Sequence, residues 1–169
     1  MEKPRVICIV GPGRHVGKTA VLTEILKEMK ARKLSVGTVK HIGERSSFKL
    51  TAGKDTTKHL EAGSDVTLAV TSSEIIAIRR DIPLTLESAL SQMPGELDYV
   101  LAEGFRRSQY PKIVVTNSES EDLRGIAGEI IALVVDHRNI VRGGGAGEAS
   151  RFDVGYLVEL ILEYFKNHH

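Results

Sequence analysis

Residues 5–20 read RVICIVGPGRHVGKTA, and the order of residue types in this stretch decides the fold. Arg5 to Val10 is a short, β-branched apolar run of the kind that forms a buried strand, and it stops at Gly11. A glycine-rich turn, GPGRHVGKT, occupies residues 11–19. From about Thr19 to Arg32 the apolar residues Leu22, Ile25, Leu26 and Met29 recur at the i, i+3, i+4, i+7 spacing of one helical face. Leu34 to Val39 reads as a second strand. The chain therefore opens strand–loop–helix–strand, which implies a right-handed parallel crossover.

A glycine-rich turn between a strand and a helix is an anion cradle. Backbone N–H groups converge there, and the helix adds the positive end of its dipole. The sequence predicts that Gly13, Arg14, His15, Val16, Gly17, Lys18, Thr19 and Ala20 wrap the phosphates of a purine nucleoside triphosphate. Lys18 would reach the β- and γ-phosphates, and the Thr19 hydroxyl would coordinate Mg²⁺. Glycine is needed where a side chain would hold backbone away from phosphate. The spacing is irregular: the usual pattern puts glycine five residues before Gly17, where this chain has Pro12, and Gly11 lies one position further back. Proline also removes one N–H donor from the loop. His15 reads as a loop side chain rather than a catalyst.

The rest of the composition narrows the function. Lys and Arg number 23 against 22 Asp and Glu, a formal charge of +1, so there is no general electrostatic grip on long nucleic acid or an anionic membrane. Phosphate chemistry must come from a local site. Cys8 is the single cysteine of the 169 residues, which excludes an internal disulfide and a multi-cysteine metal site. Apolar runs reach about six residues, far below the roughly 20 that span a bilayer. The first residues show no signal-peptide pattern, and a cytoplasmic, single-domain protein is expected. His168 and His169 receive no role.

Further along, His41 to Gly53 is polar and irregular and reads as a mobile loop. Lys54 to Ala62 reads as a short helix, Val66 to Val70 and Ile75 to Arg79 as two strands joined through Thr71, Ser72 and Ser73, and Pro83 to about Met93 as a helix. Tyr99 to Ala102, Lys112 to Val115 and Ile130 to Val135 are further strands, with the acidic stretch Ser118 to Asp122 as a solvated loop. Gly143 to Gly147 is a flexible connection. The last helix runs from about Asp153 to Lys166, with Leu157, Leu160, Ile161 and Tyr164 on one face. Alternating strands and helices predict an α/β, three-layer P-loop fold with a mostly parallel central sheet.

Several short motifs follow the phosphate loop in order: VGTVKH (Val36 to His41), GKDT (Gly53 to Thr56), EAGS (Glu61 to Ser64), AEGF (Ala102 to Phe105) and PKIVV (Pro111 to Val115). With them the chain resembles the molybdopterin-guanine dinucleotide biosynthesis protein B family across most of its length. That resemblance implies a GTP-binding, commonly dimeric protein with weak, Mg²⁺-dependent GTPase activity. Such a protein assists the guanylyltransferase that joins a GMP moiety to molybdopterin. It also implies that Gly17, Lys18 and Thr19 contact phosphates and metal, and that Lys40, His41, Asp55, Glu103 and Gly104 line the same site. The chain departs from the family in its longer phosphate loop. It also runs IGERSSFKL after His41, where the family often has further histidine and acidic residues.

Other readings rest on position alone. Glu103 ends the apolar strand YVLA and faces the crevice where α/β folds bind ligands, so it would either hold Mg²⁺ through water or orient an attacking water. The alternative is a solvated or salt-bridged strand-end acid. Asp55 is either a metal carboxylate or an ordinary first-turn acid favoured by the helix dipole. Arg106 and Arg107 would stabilise transition-state charge or form a solvated loop pair. Asp136 ends a buried strand where a carboxylate could read a purine. No N-K-x-D guanine signature is present, and VTNS at Val115 to Ser118 is a poor substitute. Cys8 reads as a packed core residue. Three functions follow: a slow GTPase accessory protein, a small-molecule kinase with Arg106 and Arg107 closing on the transferred phosphate, or a nucleotide-gated binding module that hydrolyses nothing.

Overall fold

A computed structural model describes residues 4–13, 15–42, 54–80, 82–118, 122–143 and 149–168. By its internal contacts the chain divides into two compact units, residues 1–41 with 90–169, and residues 42–89.

The larger unit is built on a seven-stranded sheet. Its strands are β1 (Arg5–Val10), β2 (Val36–Lys40), β5 (Tyr99–Glu103), β6 (Lys112–Thr116), β7 (Ile130–Val135), β8 (Asn139–Arg142) and β9 (Ala149–Arg151), in the order β2-β5-β1-β6-β7-β8-β9. The first five are mutually parallel, and β8 and β9 add antiparallel to one edge. The parallel crossover between β1 and β2 is therefore present, but β5 lies between its two strands.

Near-continuous apolar runs suit strands covered on both faces. Consistent with that, every residue of β1 from Val6 to Val10 is buried, as are all five of β6. Ile7, Ile9, Leu101, Ile113, Val115 and Val134 share one core with helices α1 (Lys18–Ala31) and α4 (Val154–Asn167). α1 contributes Val21, Leu22, Ile25 and Met29, and α4 contributes Leu157, Val158, Leu160 and Ile161. Asp153 starts α4 by accepting a hydrogen bond from the Tyr156 N–H at 2.8 Å, an ordinary N-cap. Arg32 binds Glu28 at 2.8 Å and also Glu159, tying the end of α1 to α4.

The smaller unit holds α2 (Lys54–Glu61), the antiparallel hairpin of β3 (Val66–Val70) and β4 (Ile75–Arg79), and most of α3 (Leu86–Leu90). The hairpin matches its sequence expectation. α3 is shorter than the expected Pro83-to-Met93 helix because Thr85 supplies the start signal: its hydroxyl accepts from the Ser88 N–H at 3.2 Å.

β8 and β9 were not expected from the sequence. Val135 pairs with Asn139, and the Arg138 N–H bonds the Val135 carbonyl at 2.9 Å around Asp136 and His137. Both central residues are left-handed, with φ 48° and 53°, as a type I′ hairpin turn requires. The turn is made by Asp-His instead of the familiar Asn-Gly, which hides it in the sequence. Most of the expected His41-to-Gly53 loop, most of the flexible 143–147 connection and residues 119–121 of the acidic stretch lie outside the described residues. No helix among the described residues is long and apolar enough to cross a membrane.

Candidate phosphate-binding site

β1 delivers the chain into the turn at Gly11, which packs against the next strand. A Cβ at Gly11 would lie 2.5 Å from the Val115 carbonyl oxygen and 2.8 Å from the Val16 side chain, so this position must be glycine for the loop to close on β6. His15 and Gly17 are left-handed at φ 63° and 87°, and α1 begins at Lys18 with no side chain capping its first turn. Uncapped first-turn N–H groups are the donors that an anion recruits. The Lys18 ammonium bonds the Gly13 carbonyl at 2.5 Å. Strand, loop and helix thus stand where the sequence puts them; Arg14 lies outside the described residues.

The sheet order explains the next contact. Because β5 sits between β1 and β2, Glu103 is in register with Ile9 on one side and Lys40 on the other. Its carboxylate oxygens both lie 2.9 Å from the Thr19 hydroxyl, in the first turn of α1. Lys40 completes the cluster, 3.0 Å from the Glu103 carboxylate and 3.3 Å from the Thr19 hydroxyl. Burial lowers the pKa of Lys18; Glu103 opposes that shift and Lys40 adds to it. The hydroxyl and carboxylate oxygens are hard donors that fit Mg²⁺. Among the described residues no group of three or more His, Cys, Asp or Glu forms a metal cluster. A nucleotide-linked Mg²⁺ does not need one, since phosphates and waters supply most of its ligands.

Beyond Glu103 the chain makes a strained corner. Gly104 and Phe105 are both left-handed, at φ 96° and 59°. A Cβ on Gly104 would meet the His41 Cβ at 2.9 Å, and the His41 and Phe105 rings pack edge to face with centroids 5.2 Å apart. This corner and the phosphate loop enclose a cleft of about 430 Å³ lined by Val10, Gly11, Lys18, His41, Gly104, Phe105, Arg106 and Arg107. Neither arginine side chain has an ion pair or hydrogen bond with another described residue.

Two further residues support the site without a sequence signal to reveal them. Lys112 is fully buried at the base of β6, where its ammonium donates to the carbonyl and hydroxyl of Ser108, each at 2.9 Å, and to the Tyr110 carbonyl. It thereby ties down the segment that carries Arg106 and Arg107. On the opposite flank, the His137 imidazole Nε2 lies 3.2 Å from the Val16 carbonyl. Asp136, the residue singled out there in the sequence, pairs instead with Arg138 at 3.3 Å.

The described contacts thus bring Thr19, Lys40 and Glu103 together beside Lys18. Asp55 belongs to the smaller unit, where its carboxylate pairs with Lys58 one helical turn away at 3.1 Å.

The family model for molybdopterin guanine dinucleotide synthesis protein B, MobB, matches residues 6–136. The chain belongs to the MobB family. The match begins in β1 and ends at the hairpin turn beside the phosphate loop, so it takes in both flanks of the site. A probable molybdopterin-guanine dinucleotide biosynthesis adapter protein of Bacillus subtilis is 36% identical over 133 residues, covering 76% of this chain and 75% of the relative. The corresponding adapter protein of Haemophilus influenzae is 33% identical over 105 residues, covering 61% of this chain and 58% of the relative. A crystal structure of molybdopterin-guanine biosynthesis protein B superposes with a TM-score of 0.73 at 25% identity, covering 95% of this chain and 99% of that one. Bacillus subtilis MobB gives 0.58 at 30% identity over 77% of each chain. The fold is that of the P-loop NTPases, as expected, with a mostly parallel sheet.

Proposed function

We propose that this MobB-family chain is a GTP-binding adapter of molybdenum cofactor maturation. It would work in the cytoplasm, assisting a molybdopterin guanylyltransferase in making the guanine dinucleotide form, with slow Mg²⁺-dependent hydrolysis. The observation that carries the reading is the Thr19–Glu103–Lys40 cluster at the mouth of a strand–loop–helix phosphate cradle. The adapter role rests on the names of the Bacillus and Haemophilus relatives.

In this reading the amides from Gly13 to Ala20 hold the polyphosphate and Lys18 turns from the Gly13 carbonyl towards it. Thr19 offers its hydroxyl to the metal, and Glu103 fixes that hydroxyl or holds an attacking water. Bound Mg²⁺ would offset the charge on the phosphates. Gly104 keeps backbone clear beside His41. The same cleft, with Arg106 and Arg107 on its wall, supports phosphoryl transfer to a small molecule as a second reading.

The chain is also proposed to act as a homodimer. Val66, Leu68, Val70 and Ile75, between 46% and 71% exposed, lie on one side of the β3–β4 hairpin, and an isolated two-stranded sheet is marginal in water. Light scattering of Leu68→Lys should report a monomer where the native chain is a dimer.

The test of function combines competition between GTP and ATP with hydrolysis assays, with and without small-molecule acceptors. Preferred GTP binding, slow turnover and a gain in dinucleotide formation by added guanylyltransferase are expected. Rapid acceptor phosphorylation would favour the kinase, and tight binding without turnover the binding module.

A further inference from the structure

We propose that His137, at the tip of the β7–β8 hairpin, is a positioning residue for the phosphate loop: it holds the Val16–Gly17 peptide so that the loop's amides face the nucleotide. The inference rests on the nucleotide reading above and adds a residue outside the loop to it.

Three observations converge on this imidazole. Its Nε2 is 3.2 Å from the Val16 carbonyl oxygen. A carbonyl only accepts, so Nε2 carries the proton and donates. The ring also fills the space where a side chain at position 17 would stand: a Cβ built on Gly17 would lie 1.8 Å from His137 Nε2 and 2.1 Å from its Cε1. Gly17 is therefore glycine for two reasons, its φ of 87° and the neighbouring imidazole. Lastly, His137 occupies the second central position of a type I′ turn, φ 53°, where glycine is the residue of lowest cost. The hairpin alone gives no reason for histidine. The bond to Val16 does.

Peptide planarity links that bond to function. The Val16 C=O and the Gly17 N–H belong to one rigid plane and point in opposite directions. Fixing the carbonyl on the hairpin side turns the amide away from the hairpin. The phosphate loop of this chain has particular use for such a brace, because its spacing is irregular and Pro12 supplies no N–H. The turn that carries the ring is itself anchored, since the Asp136 N–H bonds the Thr116 carbonyl at 2.8 Å.

The test uses the full chain and calorimetric titration with Mg²⁺–GTP, comparing His137→Gly, His137→Gln and Lys18→Ala with the native protein. Glycine suits the turn, so His137→Gly should fold with an unchanged or higher melting temperature. Its nucleotide affinity should nevertheless fall about five- to tenfold, the scale of one lost hydrogen bond. Glutamine keeps an N–H donor of similar reach, and His137→Gln should recover part of the affinity despite a poorer turn. A role confined to the hairpin would give the opposite pattern: affinity would follow melting temperature, and His137→Gly would bind as well as native. That result, with Lys18→Ala still strongly impaired, overturns the role of His137 and leaves the phosphate loop standing. If Lys18→Ala also binds normally, the nucleotide reading falls and this inference falls with it.

Discussion

Two carboxylates, Glu103 and Asp55, are both candidate metal ligands in the sequence, and the structure treats them differently. Glu103 ends a strand whose neighbours on both sides are fixed, its side chain is only 12% exposed, and it meets Thr19 and Lys40 from two other elements. Asp55 opens an eight-residue helix, is 85% exposed, and finds its partner Lys58 within the same helix. A strand-end acid in a parallel sheet has its surroundings dictated by the sheet. A first-turn acid on a short helix can be satisfied locally by dipole and by an i,i+3 pair. The difference ranks the two: Glu103 is built into the site through long-range contacts, whereas nothing in the contacts of Asp55 requires a ligand.

The largest effect belongs to the loop that Glu103 supports. Lys18→Ala removes a charge-assisted contact and should cost about 1.5–3 kcal/mol of nucleotide affinity in calorimetric titration. Unchanged affinity would break the comparison at its root. Next comes the carboxylate itself. Glu103→Gln should weaken the Mg²⁺ dependence of GTP binding roughly fivefold, with Thr19→Ala acting in the same direction, read from metal titrations at fixed nucleotide. Asp55→Asn is expected to be smaller, below about 0.5 kcal/mol in stability by chemical denaturation, as for other exposed ion pairs, and to leave the metal response near native. A loss equal to that of Glu103→Gln would show that both acids serve one metal.

The smallest signal is protonic. Burial holds the Lys18 pKa below the usual lysine value in the free protein, and a bound polyphosphate would raise it. Binding therefore takes up protons as pH approaches the lowered value, and affinity falls as pH rises through it. Calorimetry over a series of alkaline pH values in buffers of differing ionisation enthalpy should detect uptake that Lys18→Ala lacks. Equal uptake in both would assign the proton elsewhere.

The sequence disclosed the fold where local patterns were strong. Val6–Val10 and Ile131–Val135 are apolar runs of the kind that form buried strands, and all of their residues are buried. Gly17-Lys18-Thr19 was legible because the loop chemistry and the helix register agree. What stayed hidden depends on contacts between distant segments. Nothing near Thr19 announces that Glu103, 84 positions away, would meet it, since that requires β5 to insert between β1 and β2. The β7–β8 hairpin is hidden because Asp-His does not look like a turn, and for the same reason the sequence points to Asp136 rather than to its neighbour His137. Lys112, an apparent strand-end cation, is a buried brace whose partners lie in the preceding loop.

The central claim is that the turn leaving β1 wraps a polyphosphate above the Thr19–Glu103 pair. Backbone amide resonances followed during titration with Mg²⁺–GTP test it most directly. The account predicts that the Gly17, Lys18 and Thr19 amides shift most, saturating together with the binding isotherm. Saturable binding that leaves those three amides in place, with the largest shifts elsewhere in the chain, would contradict it.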